Sequence, residues 1–162
     1  MYNNKTILIT GGTGSLGKAL TKEIFRRHPK IGKIIVFSRD EQKHFQMRQE
    51  FSLENFPNLE FIIGDIRDFD SVKFAFNSVD YVIHAAAMKH VHLSETNPEE
   101  CIKTNIGGAQ NVIKAARDSN ISNVVALSTD KACAPVNLYG ATKLTSDKLF
   151  IAANNNSSKI KY

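Results

Sequence analysis

The sequence predicts an α/β fold, a doubly wound parallel sheet with helices on both faces, and three observations carry that expectation. Short β-branched runs alternate with longer segments of helical spacing throughout the 162 residues, and parallel strands in such a repeat can be reached only by crossovers. The first strand runs straight into a glycine-rich turn and then a helix. The composition is that of one ordinary globular domain, 42% hydrophobic and 23% charged, with no internal repeat or low-complexity tract.

The elements follow in order. TILIT at 6–10 is the first strand, and after it Leu16, Leu20, Ile24 and Phe25 recur at helical spacing. KIIVFS at 33–38, LEFII at 59–63 and YVIHA at 81–85 are the next three strands. Ile106, Val112, Ile113 and Ala116 space a helix ahead of a fifth strand, NVVALS at 123–128. NNNSSK at 154–159 reads as a polar linker, and IKY at 160–162 as the opening of another strand. The expectation is therefore one domain over 1–162, apparently truncated before a substrate domain. Its fifth strand, short of the neighbour expected near Ile160, would present an edge prone to pairing with another copy.

Several classes are disfavoured. No apolar run approaches the ~20 residues that cross a bilayer, and MYNNKTILIT lacks a signal-peptide layout; no membrane insertion and a cytoplasmic location are expected. Cys101 and Cys133 are the only cysteines and lack metal-ligand spacing, so they read as reduced thiols, with no metal. The net charge of +5 is spread over scattered Lys and Arg with no aromatic-basic stripe. This points to solubility and affinity for anionic small molecules, not to nucleic acid.

TGGTGSLGKAL contains Gly12, Gly14 and Gly17 as G-x-G-x-x-G, or Gly11, Gly14 and Gly17 as G-x-x-G-x-x-G. Between a strand and a helix, such a turn lets backbone approach a pyrophosphate while the helix N-terminus favours its charge, as in Rossmann-type domains that bind dinucleotides. The second strand ends in Ser38 and Arg39, with Lys43 four residues beyond. A hydroxyl and a guanidinium suit a 2′-phosphate, so NADP is favoured. Asp40 keeps NAD open: were the strand to end two residues later, its carboxylate would meet the ribose. At two further strand ends, Asp65 and Ile66 are placed to bracket an adenine, and the small residues Ala85, Ala86 and Ala87 to admit a nicotinamide riboside or simply to pack.

Tyr139 and Lys143, at i and i+4 of a helix after the fifth strand, share one face, where the ammonium can lower the phenol's pKa. Asp130 and Lys131 set an acid beside a base just before them.

The blocks ILITGGTGSLGK, FSRDE, FIIGDIRD, IHAAAMKHV, ECIKTNIGGAQNV and ALSTDKA...NLYGATKL...DKLF together resemble the extended short-chain dehydrogenase/reductases, and within them the inverting UDP-N-acetylglucosamine 4,6-dehydratases of bacterial surface-sugar pathways. The likeness runs over the whole chain. It implies NADP lying along Thr13, Gly14, Ser15 and Leu16, along Ser38 to Lys43, and against Asp65, Ile66, Ala85, Lys89, Tyr139 and Lys143. It implies a nucleotide-sugar substrate whose uridine diphosphate binds mostly in a later domain, and a homo-oligomer paired through helices 101–118 and 139–153. It also gives roles to the reacting groups. Tyr139, assisted by Lys143 and Thr129, would take the carbon-4 hydroxyl proton as hydride moves to NADP. Lys131 and Asp130 would be the base and acid that remove water across carbons 5 and 6, before the hydride returns to carbon 6. Lysine in the second place of the pair resembles the inverting branch, since the retaining enzymes carry Asp-Glu there. The roles need a neutral Lys131 and a protonated Asp130; a plain salt bridge would hold both charged. Other readings are an epimerase or reductase of the same superfamily, and a non-catalytic NADP-binding sensor. The 162 residues alone are expected to bind NADP weakly and not to turn over substrate.

Overall fold

The computed structural model describes residues 2–52 and 54–162. Five strands, β1 (Thr6–Thr10), β2 (Lys33–Ser38), β3 (Leu59–Ile63), β4 (Tyr81–His84) and β5 (Asn123–Ala126), pair in parallel in the order β3-β2-β1-β4-β5. The helices are α1 (Ser15–Arg27), α2 (Glu41–Glu50), α3 (Phe69–Ala75), α4 (Val91–Thr96), α5 (Pro98–Ile102), α6 (Gly108–Arg117) and α7 (Leu138–Asn155). A π-helical stretch, Lys103–Gly107, joins α5 to α6, and a 3-10 turn, Asp130–Ala132, follows β5.

Both faces of the sheet are covered, which is why the strands read as unbroken apolar runs. Ile7, Ile9, Ile34 and Val36 face Met47 of α2 and Leu20 and Ile24 of α1. Leu8, Ile35, Phe37, Val82 and Val124 face Val72 of α3, Val112 and Ala116 of α6 and Phe150 of α7. Each such side chain, once buried, contributes about 2 kcal/mol, so exposing one face would cost more than a domain's net stability. The winding reverses between β1 and β4. The carboxyl ends of those neighbours therefore bound the crevice where open parallel sheets bind ligands.

Four expectations need correction. β4 ends at His84 and not residue 85, the Ala85 amide making the last bond of the β1–β4 ladder to the Thr10 carbonyl (3.2 Å). β5 ends at Ala126 and not residue 128, and the Leu127 carbonyl accepts instead from Lys143 Nζ (2.6 Å). The supposed linker at 154–159 begins inside α7, which runs to Asn155. The edge of β5 is partly covered, since Lys161 donates to the Ser122 carbonyl (3.1 Å) and Val124 to the Lys161 carbonyl (2.8 Å), a parallel bridge that opens the expected further strand. Past it, Val125 is 56% exposed.

Candidate active site

The site begins at the glycine turn. Gly11 has φ +66°, where a Cβ would lie 2.9 Å from the backbone of Ala86, and its amide donates to the Phe37 carbonyl (2.8 Å). Thus β1, β2 and the chain after β4 meet at a position that only glycine fills without strain. Gly17 is buried directly on Gly12, which draws α1 down onto the turn. Gly14 is the exposed N-cap of α1, with no side-chain cap and no acidic residue in the first turn. By contrast α2, α3 and α7 are capped by their own Asp40, Asp68 and Asn137. The leading amides of α1, beside exposed Ser15 and Leu16, are thus left for an anion from outside. Leu16 is 46% exposed. It does not join the core stripe of Leu20, Ile24 and Phe25, as its spacing had suggested.

At the end of β2, the Ser38 hydroxyl lies between Thr13 Oγ1 (2.9 Å) and His44 Nε2 (3.0 Å). Arg39 is exposed and reaches toward Asp65 (3.9 Å). Asp40 caps α2 through the Lys43 amide (3.0 Å), and its carboxylate pairs with the Lys43 ammonium (3.3 Å). The strand ends at Ser38, so Asp40 serves the helix and does not stand at a strand tip. Burial would raise the Asp65 carboxyl, but hydrogen bonds from Arg67, aided by the charges of Arg67 and Arg39, hold it below the usual carboxylate range. Ile66 turns its side chain into the core beneath Gly108. It can border a ligand only through its backbone, whose carbonyl already accepts from Asn111 (3.0 Å). These donors and the uncapped helix fit a dinucleotide phosphate.

Under the nicotinamide end expected from the sequence, the amides of Ala85 and Ala86 donate to Thr10 Oγ1 (3.2 and 3.1 Å). That hydroxyl has its lone pairs engaged, so its hydrogen goes to His84 Nδ1 (2.8 Å). Burial, reinforced by the Lys143 charge, pushes the His84 ring down to about 3 and keeps it neutral. Ala86 packs under the Gly11 turn, and Ala85, Ala86 and Ala87 all remain partly exposed. Lys89 is exposed at the rim.

The opposite wall is the segment from β5 into α7. Lys143 is only 5% exposed, its Nζ donating to the Leu127 carbonyl (2.6 Å). Burial holds its ammonium below the usual lysine range, with Asp147 opposing. Tyr139 sits one turn earlier on the same helix, half-buried, its hydroxyl bonded to none of the described residues. A Cβ at Gly140 would overlap the Lys131 carbonyl, so glycine lets the start of α7, which carries Tyr139, rest on the 130–132 turn. Thr129 donates to Asp130 Oδ1 (3.0 Å). Asp130 and Lys131 form an ion pair at 3.5 Å, with the Asp130 side chain 86% exposed. The Thr129 hydrogen bond, then the Lys131 charge, hold the Asp130 carboxyl below its usual value. In this arrangement Asp130 is ionised, contrary to the protonated form that its expected role requires.

The sequence reading missed four supporting groups. His44 and His84 sit on apolar faces with nothing in their spacing to mark them, and Thr10 reads as a strand residue. Asn105, buried in the π-helical stretch, holds Met88 by both amide and carbonyl (2.8 and 3.0 Å) and donates to Thr142 Oγ1 of α7 (2.9 Å). Only Gly107-Gly108 hinted at an irregular helix there. A hollow of about 600 Å³ lies elsewhere, between Arg117–Ser122 and Asn156–Ile160 before β5 begins, at the wrong end of the sheet for this chemistry.

The polysaccharide biosynthesis protein family model matches residues 7–162. The chain is 59% identical over 155 residues to the inverting UDP-N-acetylglucosamine 4,6-dehydratase of Campylobacter jejuni, covering 96% of this chain and 45% of that protein. It is 46% identical to a UDP-glucose 4-epimerase of Rickettsia bellii, covering 94% and 44%. Among solved structures, it superposes on Pen from Bacillus thuringiensis with a TM-score of 0.91 at 42% identity, covering 96% of this chain and 47% of that one. On the NAD-bound dTDP-glucose 4,6-dehydratase of Streptomyces venezuelae the TM-score is 0.80 at 25% identity, covering 93% and 52%. The chain thus spans about half the length of the relatives it matches. None of its described helices is long and apolar enough to cross a membrane.

Proposed function

The chain belongs to the polysaccharide biosynthesis protein family, and from that premise we propose that it is the cofactor-binding part of a sugar-nucleotide 4,6-dehydratase, acting on UDP-N-acetylglucosamine with inversion at carbon 5. The observation that carries the reading is the close seating of α7 on the Asp130–Ala132 turn, where Gly140, the neighbour of Tyr139 in sequence, lies directly on the Lys131 carbonyl. The name of the 59%-identical relative supports the substrate and the stereochemistry.

NADP is the proposed cofactor. Asp40 is committed to the α2 cap, while Ser38, Arg39 and Lys43 leave hydroxyl and cationic groups for a 2′-phosphate. The uncapped α1 N-terminus would take the pyrophosphate. When bound, the nicotinamide would accept a hydride from carbon 4 and give it back to carbon 6, so that only water is lost.

The chain's own groups divide the proton work. Tyr139 takes the carbon-4 hydroxyl proton, and Lys143, fixed on the Leu127 carbonyl, favours the phenolate by its charge. Thr129 sits beside Asp130 to orient it. For the elimination, Lys131 must be a free amine and Asp130 an acid. A proton passing from the Lys131 ammonium to the Asp130 carboxylate gives both forms at once, and low dielectric favours that neutral pair. We therefore assign the second wall of the site, a substrate domain outside these 162 residues, the task of excluding water from the pair. A homo-oligomer built through helices 101–118 and 139–153, and a cytoplasmic location, belong to the same proposal.

Incubating the full-length protein, substrate domain included, with UDP-N-acetylglucosamine tests the reading. A 4-keto product inverted at carbon 5, with no net NADPH, is expected. An epimer at carbon 4 with its carbon-6 hydroxyl intact would replace the dehydratase with the epimerase reading that the Rickettsia bellii relative's name suggests. Cofactor binding without turnover would leave a sensor.

A further inference from the structure

We propose that His44 is a positioning residue that sets the hydrogen-bond polarity of the Thr13–Ser38 hydroxyl pair, so that the pair offers one hydrogen to an anionic ligand oxygen. This rests on the dinucleotide reading and deepens it, because the pair stands where the cofactor's adenosine end would lie.

The argument is a count of hydrogens. His44 is 2% exposed, and its Nε2 lies 3.0 Å from the Ser38 carbonyl and 3.0 Å from the Ser38 hydroxyl. A carbonyl only accepts, so Nε2 carries the ring's hydrogen. His44 Nδ1 is then the lone-pair nitrogen, buried without a partner among the described residues. Burial holds the ring below its ordinary pKa, which keeps Nδ1 bare. The ring therefore donates toward Ser38 and asks for nothing back.

The two hydroxyls own two hydrogens. One is used in the 2.9 Å bond between Thr13 and Ser38. The other is left to point outward, whichever of the two carries it. With the opposite tautomer, Nε2 would accept from Ser38, and Ser38 would accept from Thr13. The pair would then present lone pairs alone, the surface that suits a ribose 2′-hydroxyl, as a carboxylate does in NAD-binding folds. With Nε2–H the pair donates, which suits a phosphate oxygen. His44 thus acts on the ligand only through Ser38 and Thr13, from beneath the loop.

Two measurements test this. A long-range proton–nitrogen correlation spectrum of the histidine rings reads the His44 tautomer directly. Hydrogen on Nε2 is expected; hydrogen on Nδ1, or on both nitrogens near neutral pH, overturns the proposal. Titration of the protein with NADP and with NAD reads the consequence. His44→Leu should lower NADP affinity by about tenfold, the size of one hydrogen bond to a charged group, with a smaller change for NAD. His44→Gln, whose amide nitrogen can donate to both Ser38 oxygens, should restore the NADP preference. An unchanged NADP-to-NAD ratio in His44→Leu, or equal loss of both cofactors with no rescue by Gln, overturns the polarity role while leaving the dinucleotide site in place. Failure of the unmodified protein to bind either cofactor would remove the dinucleotide reading and this inference with it.

Discussion

At the β1–β2 end of the site the side chains beside the turn are tied to one another, whereas at the β5–α7 end one lysine is sunk in the fold and another stands in water. Thr13, Ser38 and His44 bond to one another, and Asp65 is held by Arg67. Across the crevice, Lys143 is anchored on a carbonyl, but Asp130 and Lys131 meet only as an exposed, charged pair. A preformed end can bind its ligand without reorganising. At the open end the Thr129 hydrogen bond and the Lys131 charge hold Asp130 ionised, the opposite of the acid that its proposed role requires. On the proposed reading the difference separates cofactor binding, for which the groups stand preformed, from elimination, which would need another surface to exclude water.

Breaking the preformed end should have the largest effect. Gly11→Val puts a β-branched residue at φ +66° against the Ala86 backbone, which should cost about 4 kcal/mol of stability and abolish dinucleotide binding. Denaturant unfolding and cofactor titration check it, and a variant of normal stability and affinity would show that the turn is not rigid.

Acid should weaken the fold next. The His84 ring titrates at about 3 when folded and near 6.5 when unfolded. Its folded pKa is depressed, so between those values the unfolded chain holds the extra proton and stability falls as pH drops. The slope is about 1.4 kcal/mol per pH unit. His84→Gln, measured by denaturant unfolding from pH 6 to pH 4, should flatten the curve; the same slope in the variant would assign the loss to other groups.

Arg39→Asp probes one cofactor contact. Losing a charge-assisted contact and adding repulsion should reduce NADP affinity by at least about tenfold, while NAD binding is kept. Equal NADP affinity in wild type and variant would remove Arg39 from the site. The smallest structural effect is expected at the open end, where Lys131→Glu should leave the unfolding midpoint and cofactor affinity unchanged, since exposed pairs contribute little. The inverted 4-keto product should nonetheless be lost in the complete enzyme. Unchanged rate and stereochemistry there would end the role given to Lys131.

Much of this molecule is legible before it is folded. Apolar runs such as Ile34–Phe37 must be buried on both faces, and the strand–glycine–helix order at 6–20 follows from the backbone geometry that glycine alone permits. The blocks that carry Tyr139, Lys143 and the Asp130–Lys131 pair are contiguous in sequence, and it is their resemblance to a known family that singles them out. What the sequence could not supply are facts about distance and water. Asp40 stays open as a ribose acceptor until the end of β2 is located at Ser38 and its carboxylate is found capping α2. Leu16 fits a core stripe until α1 is set on the sheet with that position facing out. His44, His84 and Asn105 become supporting residues only once segments far apart in the chain are packed against them. The surroundings of two lysines twelve positions apart diverge for the same reason. Lys143 is stripped of water by α7 and β5 while Lys131 is not, and desolvation is a property of the packed structure, not of the residue.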